Sequence, residues 1–94
     1  MTKIEHTDGA LEFGEYADGK LNGLGMSTDS NNQTLYAGLY KNGHKYGWGT
    51  EFLSNGDVYT GEFQNNQREG TGILISHKNS VKTRGPWVNG VSQG

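Results

Sequence analysis

Residues 36–58, YAGLYKNGHKYGWGTEFLSNGDV, decide the fold. Gly38 is followed by an aromatic two positions on (Tyr40), by Gly43 five on, and by Gly47 and Gly49 nine and eleven on; Gly56 closes the unit. The pattern returns one period downstream as Gly61, Phe63, Gly70 and Gly72, and one period upstream as Gly14, Tyr16, Gly19, Gly23 and Gly25. A last copy begins with Gly85, Trp87 and Gly90. The anchor glycines 14, 38, 61 and 85 lie 24, 23 and 24 residues apart, a period that marks a repeat array.

Within the unit, Tyr36, Gly38 and Tyr40 alternate with Ala37 and Leu39, and Trp48, Thr50 and Phe52 alternate with Gly49, Glu51 and Leu53. Period two is the strand spacing, so each unit reads as a β-hairpin. Asn55-Gly56 predicts a type I′ turn between units, because both of its central residues need positive φ. The connection inside the unit, residues 42–46, reads as a longer loop. No apolar helical stripe survives so many glycines. Glycine inside a strand leaves nothing to pack, and an aromatic ring from the neighbouring strand laid over it restores that contact. Gly14, Gly38, Gly47, Gly49, Gly61, Gly70, Gly72 and Gly85 are therefore expected to be structural glycines.

This spacing resembles the MORN (membrane occupation and recognition nexus) repeat. Residues 36–49 match its pattern throughout; residues 59–72 match except for Asn66, and the first unit has Glu12 in place of the leading Tyr, with Phe13 beside it. The expected fold is all-β, a single-layer twisted antiparallel meander of MORN β-hairpins, with about eight strands spanning roughly 35–40 Å at ~4.8 Å per strand. One domain covers residues 1–94, with units near 1–10 (partial), 11–35, 36–58, 59–83 and 84–94 (partial). Asn32 stands at the Gly56 position of a turn, residues 30–33, that carries one extra residue. The chain opens in the second half of one unit and closes in the first half of another, so the outer strands offer edges for pairing with another chain.

Composition limits the chemistry. Hydrophobic residues make up 31% of the 94 residues and glycine 16 of them, so there is no thick core, and burial must come from neighbouring units. There is no cysteine, and hence no disulfide framework. No apolar run reaches membrane-spanning length, and the N-terminal residues lack a signal-peptide core, so the expected location is the cytoplasm, not the secreted space. The net charge of −2, with both signs interspersed, argues against nucleic acid. His6, His44 and His77 fall at different repeat phases without ligand spacing, and Glu12 and Glu15 recur by strand geometry rather than as a dyad. Gly47-x-Gly49 and Gly70-x-Gly72 lack the helix of a nucleotide fingerprint. Neither an enzyme nor a cofactor or metal site is expected.

Surface remains. The strip Tyr16, Tyr36, Tyr40, Tyr59, Phe63 and Trp87 is expected to be mainly structural, with one side open as a partner groove. The resemblance implies a non-enzymatic scaffold or adaptor that binds a helix or extended segment of a partner, as part of a cytoskeletal, ciliary or membrane-associated assembly. The alternative is a peripheral phospholipid-binding adaptor, with Lys20, Lys45 and Arg68 in the inter-strand loops facing an anionic lipid surface.

Overall fold

The computed structural model describes residues 2–78 and 82–93. Its elements are β1 (Thr2–Glu5), β2 (Leu11–Ala17), β3 (Lys20–Thr28), β4 (Thr34–Lys41), β5 (His44–Phe52), β6 (Val58–Gln64), β7 (Gln67–Ile75), β8 (Lys82–Arg84), β9 (Trp87–Val88) and β10 (Val91–Ser92). Each pairs antiparallel with its sequence neighbour from β1 to β7; β8 and β9 then run in turn along β7, and β10 pairs with β9. The result is the expected MORN-type meander, one open sheet with principal extents of 37 × 25 × 17 Å. The expected strands, about eight, are present, the eighth broken at Gly85-Pro86 into β8 and β9, and Val91–Ser92 completes a fourth, short hairpin. Residues 79–81, between β7 and β8, lie outside the described residues.

The turn types are reversed from the sequence reading. Inside each unit a two-residue turn carries positive φ at both positions: Asp18-Gly19 (52°, 78°), Asn42-Gly43 (53°, 83°), Asn65-Asn66 (50°, 71°) and Asn89-Gly90 (50°, 85°). These are the type I′ hairpins. Between units, Gly56 alone is left-handed (φ 92°); its N–H donates to Leu53 O and Leu53 N–H donates to Asp57 O, which is a type I turn closed by a glycine bulge. Asn-Gly suits both turns, since the bulge needs positive φ only at its glycine. Asn32 takes the same left-handed position with φ 64°. The extra residue of that connection is not in the turn. It is absorbed by β4, where Ser27 faces Tyr36 but Thr28 faces Thr34, leaving Leu35 bulged.

A row of glycines crosses the sheet perpendicular to the strands. Gly14 faces Gly25, Gly25 faces Gly38, Gly38 faces Gly49, Gly49 faces Gly61 and Gly61 faces Gly72; Gly85 N–H then donates to Gly72 O at 2.7 Å. On one face of this bare row lie the rings. A Cβ at Gly49 would run into the Tyr36 ring, one at Gly72 into the Tyr59 ring, and one at Gly25 would sit 2.8 Å from Tyr40. Tyr40, Tyr36, Phe63, Tyr59 and Trp87 touch in that order, edge to face, with centroids 5.1–5.2 Å apart. Such pairs contribute about 0.5–1.5 kcal/mol each beyond area burial. Together with Leu21 they form the buried core, and Tyr16 and Leu74 pack against it.

Candidate functional site: the open apolar face

The aromatic strip is the core and not an open groove. Tyr36 and Tyr59 are fully buried, and Tyr40, Phe63 and Trp87 nearly so. Flat rings on bare backbone bury themselves within a single layer, because no Cβ lifts them off the sheet. The side chains that roof them come from the position Leu21, Lys45 and Arg68, each of which faces a ring residue on the preceding strand: Tyr16, Tyr40 and Phe63. Leu21 fills the position with hydrocarbon. Lys45 Nζ sits 5.4 Å from the Tyr36 centroid and 5.7 Å from that of Phe63. The Arg68 guanidinium sits 5.1 Å from Tyr59 and 5.3 Å from Trp87. Glu51 joins the two cations, accepting from Lys45 Nζ at 3.2 Å and from Arg68 at 3.1 Å.

This geometry corrects the basic-loop expectation. The two-residue turns leave Lys20, Lys45 and Arg68 on strands, not in loops. Lys45 and Arg68 are turned onto the rings with about a fifth to a quarter of each side chain exposed (24% and 19%). Lys20 pairs with Ala17 and stands one position earlier, in the phase of His44 and Gln67, so the three do not form one row. The tyrosine hydroxyls respond to the same burial. Desolvation, foremost, pushes the Tyr36 phenol far above its ordinary range, with Tyr40 and Glu51 adding to the shift. Burial likewise raises Tyr40, Tyr59 and Tyr16, opposed at Tyr59 by the Arg68 charge.

The opposite face is the one left uncovered. Residues alternating with the glycine row point there: Phe13, Leu24 and Met26, Ala37 and Leu39, Trp48 and Phe52, Ile73 and Ile75. Trp48 is 57% exposed and Leu24 54%. Among the shallow grooves of this face, one of 240 Å³ lies at its β1 end among Lys3, Leu11, Phe13, Met26 and Thr28, and two lie over the glycine row. One, of 320 Å³, is walled by Phe13, Leu24, Met26 and Ala37 and floored by Gly14, Gly25 and Gly38. The other, of 340 Å³, lies among Trp48, Thr60, Thr71 and Ile73 with Gly72 and Gly85 beneath. The lower margin is set by a bulge in each unit, where Glu15, Leu39 and Glu62 lie over Gly23, Gly47 and Gly70. Glu15 accepts from Leu24 N–H at 2.7 Å, and Glu62 accepts from Thr71 N–H at 2.8 Å. Leu39 offers no acceptor to the corresponding amide of Trp48. The face was legible in the sequence as the residues between the glycines, but the sequence reading fixed on the aromatics that share the glycines' own phase.

Among the described residues no group of three His, Asp or Glu side chains is placed to hold a metal ion, and no helix is long and apolar enough to cross a membrane. His6 lies 3.4 Å from Glu12, His44 Nδ1 meets the Asn66 amide at 2.8 Å, and the His77 ring packs on Gly56. The three are spread along the array.

The MORN repeat family model matches residues 13–34 and 59–81, which take in most of the β2–β3 and β6–β7 hairpins. The chain carries MORN repeats. The β4–β5 hairpin between the two matched segments has the same glycine row, ring and turn geometry. No curated protein matches the chain significantly. MORN repeats are generally non-enzymatic and serve as protein- or membrane-interaction modules, and in this MORN array the uncovered surface is apolar.

Proposed function

We propose that this MORN array is a non-enzymatic scaffold that docks a protein partner on its open apolar face, as a subunit of a larger cytoplasmic assembly of the cytoskeletal, ciliary or membrane-associated kind. The observation that carries the reading is the display of Phe13, Leu24, Met26, Leu39, Trp48 and Phe52 on one side of a single layer, each more than a third exposed. Contiguous apolar surface of that extent marks an interaction site on a small protein. Lipid binding through Lys45 and Arg68 is the weaker reading, because both cations are engaged with Glu51 and the rings.

The test compares wild type with Leu24→Ser and Trp48→Ser in affinity capture from cytoplasmic extract, alongside co-sedimentation with phosphatidylserine-containing vesicles. A protein retained by wild type and lost by both variants supports the docking face. Capture indifferent to both changes, or vesicle binding abolished by Lys45→Ala with Arg68→Ala, would sink it.

A further inference from the structure

The open face also indicates what covers it. Resting on the docking reading above, we infer that the occupant is a second copy of this chain, packed face to face so that two single-layer sheets become a sandwich. Three features of the face carry this.

The first is size. The outline of the whole sheet, 37 × 25 Å, bounds the face at roughly 900 Å², comparable with the ~800 Å² per partner of a stable interface. The apolar residues run down the strands as well as along the array, from Leu24 and Trp48 at one margin to Phe52 and Ile75 at the other. A lone helix, ~10 Å across, laid over the glycine row would leave Phe52 and Ile75 in water. A sheet of equal size covers them all, at the ~10 Å spacing of packed sheets.

The second is charge. Among the described residues no ionisable side chain lines either groove over the glycine row. The acids at the margin, Glu15 and Glu62, are already turned down onto backbone N–H groups. The remaining charges described on this face stand at its rim, Lys3 and Glu5 on edge strand β1 opposite Phe13 and Leu11 and Lys41 over the Tyr46 ring at the turn end. Water still reaches them there, and the usual penalty for burying a charge does not arise.

The third is shape. The two glycine-row grooves lie over β2–β4 and β5–β7, on either side of the line between β4 and β5. A two-fold axis parallel to the strands and passing between β4 and β5 sets the two grooved halves opposite one another, so that the Leu24 and Trp48 side chains beside the grooves are what fill them. It also brings Trp48 of each copy onto Leu39 of the other, beside the Leu24 wall. One contact made twice is what a two-fold interface requires.

Sedimentation equilibrium on the purified chain, from about 5 to about 500 µM, tests this through mass action. The expected result is a reversible shift from the 10.3 kDa monomer to a species of twice that mass, with Trp48 emission moving to shorter wavelength in step. Trp48→Ser and, independently, Leu24→Ser should raise the dissociation constant at least about tenfold while keeping the far-ultraviolet dichroism of wild type; Trp48→Phe should restore the dimer. A wild type that stays monomeric throughout overturns the inference, as does a dimer that both serine variants leave intact, since it is joined elsewhere. If wild type is monomeric and Trp48→Ser still abolishes capture of a different protein, the second copy is excluded and the docking face survives. If Trp48→Ser changes neither mass nor capture, both readings fail.

Discussion

The Tyr36 ring lies across Gly49 of the adjacent strand, occupying the volume a Cβ would need, and its hydroxyl donates to the Leu39 carbonyl at 2.9 Å. One unit later Tyr59 covers Gly72 in the same way and donates to Glu62 O at 3.0 Å. The contact joins the two halves of a hairpin and seats the ring ladder. Gly49→Ala and Gly72→Ala should therefore each cost about 2–3 kcal/mol in urea unfolding, within the range for overpacked core positions. Gly19→Ala, with open space around it but φ 78°, should cost only about 1 kcal/mol. Equal losses at Gly19 and Gly49 would show that the rings do not depend on the bare backbone.

At Gly38 the obstruction is different. A Cβ there would meet the Gly49 backbone and the Trp48 carbonyl oxygen at 2.7 Å, with the Tyr36 hydroxyl at 2.9 Å. Gly38→Val should consequently be worse than Gly49→Ala, because backbone of the paired strand cannot rotate away as a side chain can. A Gly38→Val melting temperature at or above that of Gly49→Ala would contradict the close approach of the two strands.

Each unit's bulge frees one backbone amide, and units one and three cap it with a carboxylate from the opposite strand, Glu15 to Leu24 and Glu62 to Thr71. Glu62→Ala should remove about 1 kcal/mol, the net worth of such a bond, and speed hydrogen exchange at the Thr71 amide. The converse is Leu39→Glu, which gives the Trp48 amide the acceptor its neighbours have. Its expected signature is slowed exchange at Trp48, read at concentrations where the chain is monomeric. Unchanged exchange at both amides would mean that the carboxylates rest on the bulges without bonding them.

Glu51 holds Lys45 and Arg68 against the rings, with its own side chain one-fifth exposed. Removing the acceptor leaves two cations half-desolvated over aromatic faces. Glu51→Ala should cost about 1–2 kcal/mol, above the ~0–1 kcal/mol of a fully exposed pair, and less in ~1 M salt, where the Debye length is ~3 Å. Unit one shows the apolar alternative at the same positions, Leu21 with Ser27. A Glu51→Ala variant as stable as wild type at low salt would assign the roofing to hydrocarbon contact alone.

The repeat period, the strand alternation and the family resemblance made the meander legible before any coordinates. What could not be read was phase. Asn55-Gly56 and Asn42-Gly43 both satisfy turn chemistry, and only the register distinguishes a bulged three-residue turn from a two-residue one. That ambiguity placed Lys45 and Arg68 in loops when both belong to strands and face Tyr40 and Phe63. The same uncertainty hid the apolar face. A glycine in a strand hides which side of it is crowded, and here the crowded side carries the conspicuous tyrosines while Leu24, Met26 and Trp48 look outward.

The buried tyrosines set a limit at high pH. Tyr36, Tyr40 and Tyr59 hold their protons more tightly in the folded chain than in the unfolded one, chiefly through desolvation. Their contribution to stability is complete below the unfolded tyrosine pKa, near 10, and is lost as pH rises beyond it, by up to about 1.4 kcal/mol per pH unit for each ring. Urea midpoints should be level from about pH 7 to 9 and fall steeply above about 10. The decisive signal is phenolate absorbance near 295 nm. The buried phenols should ionise only as the far-ultraviolet dichroism is lost, and Tyr36→Phe should reduce the alkaline slope. Phenolate appearing in a still-folded chain at three or more rings would mean that the ladder is open to water, and the packing on which both the roof and the apolar face depend would have to be redrawn.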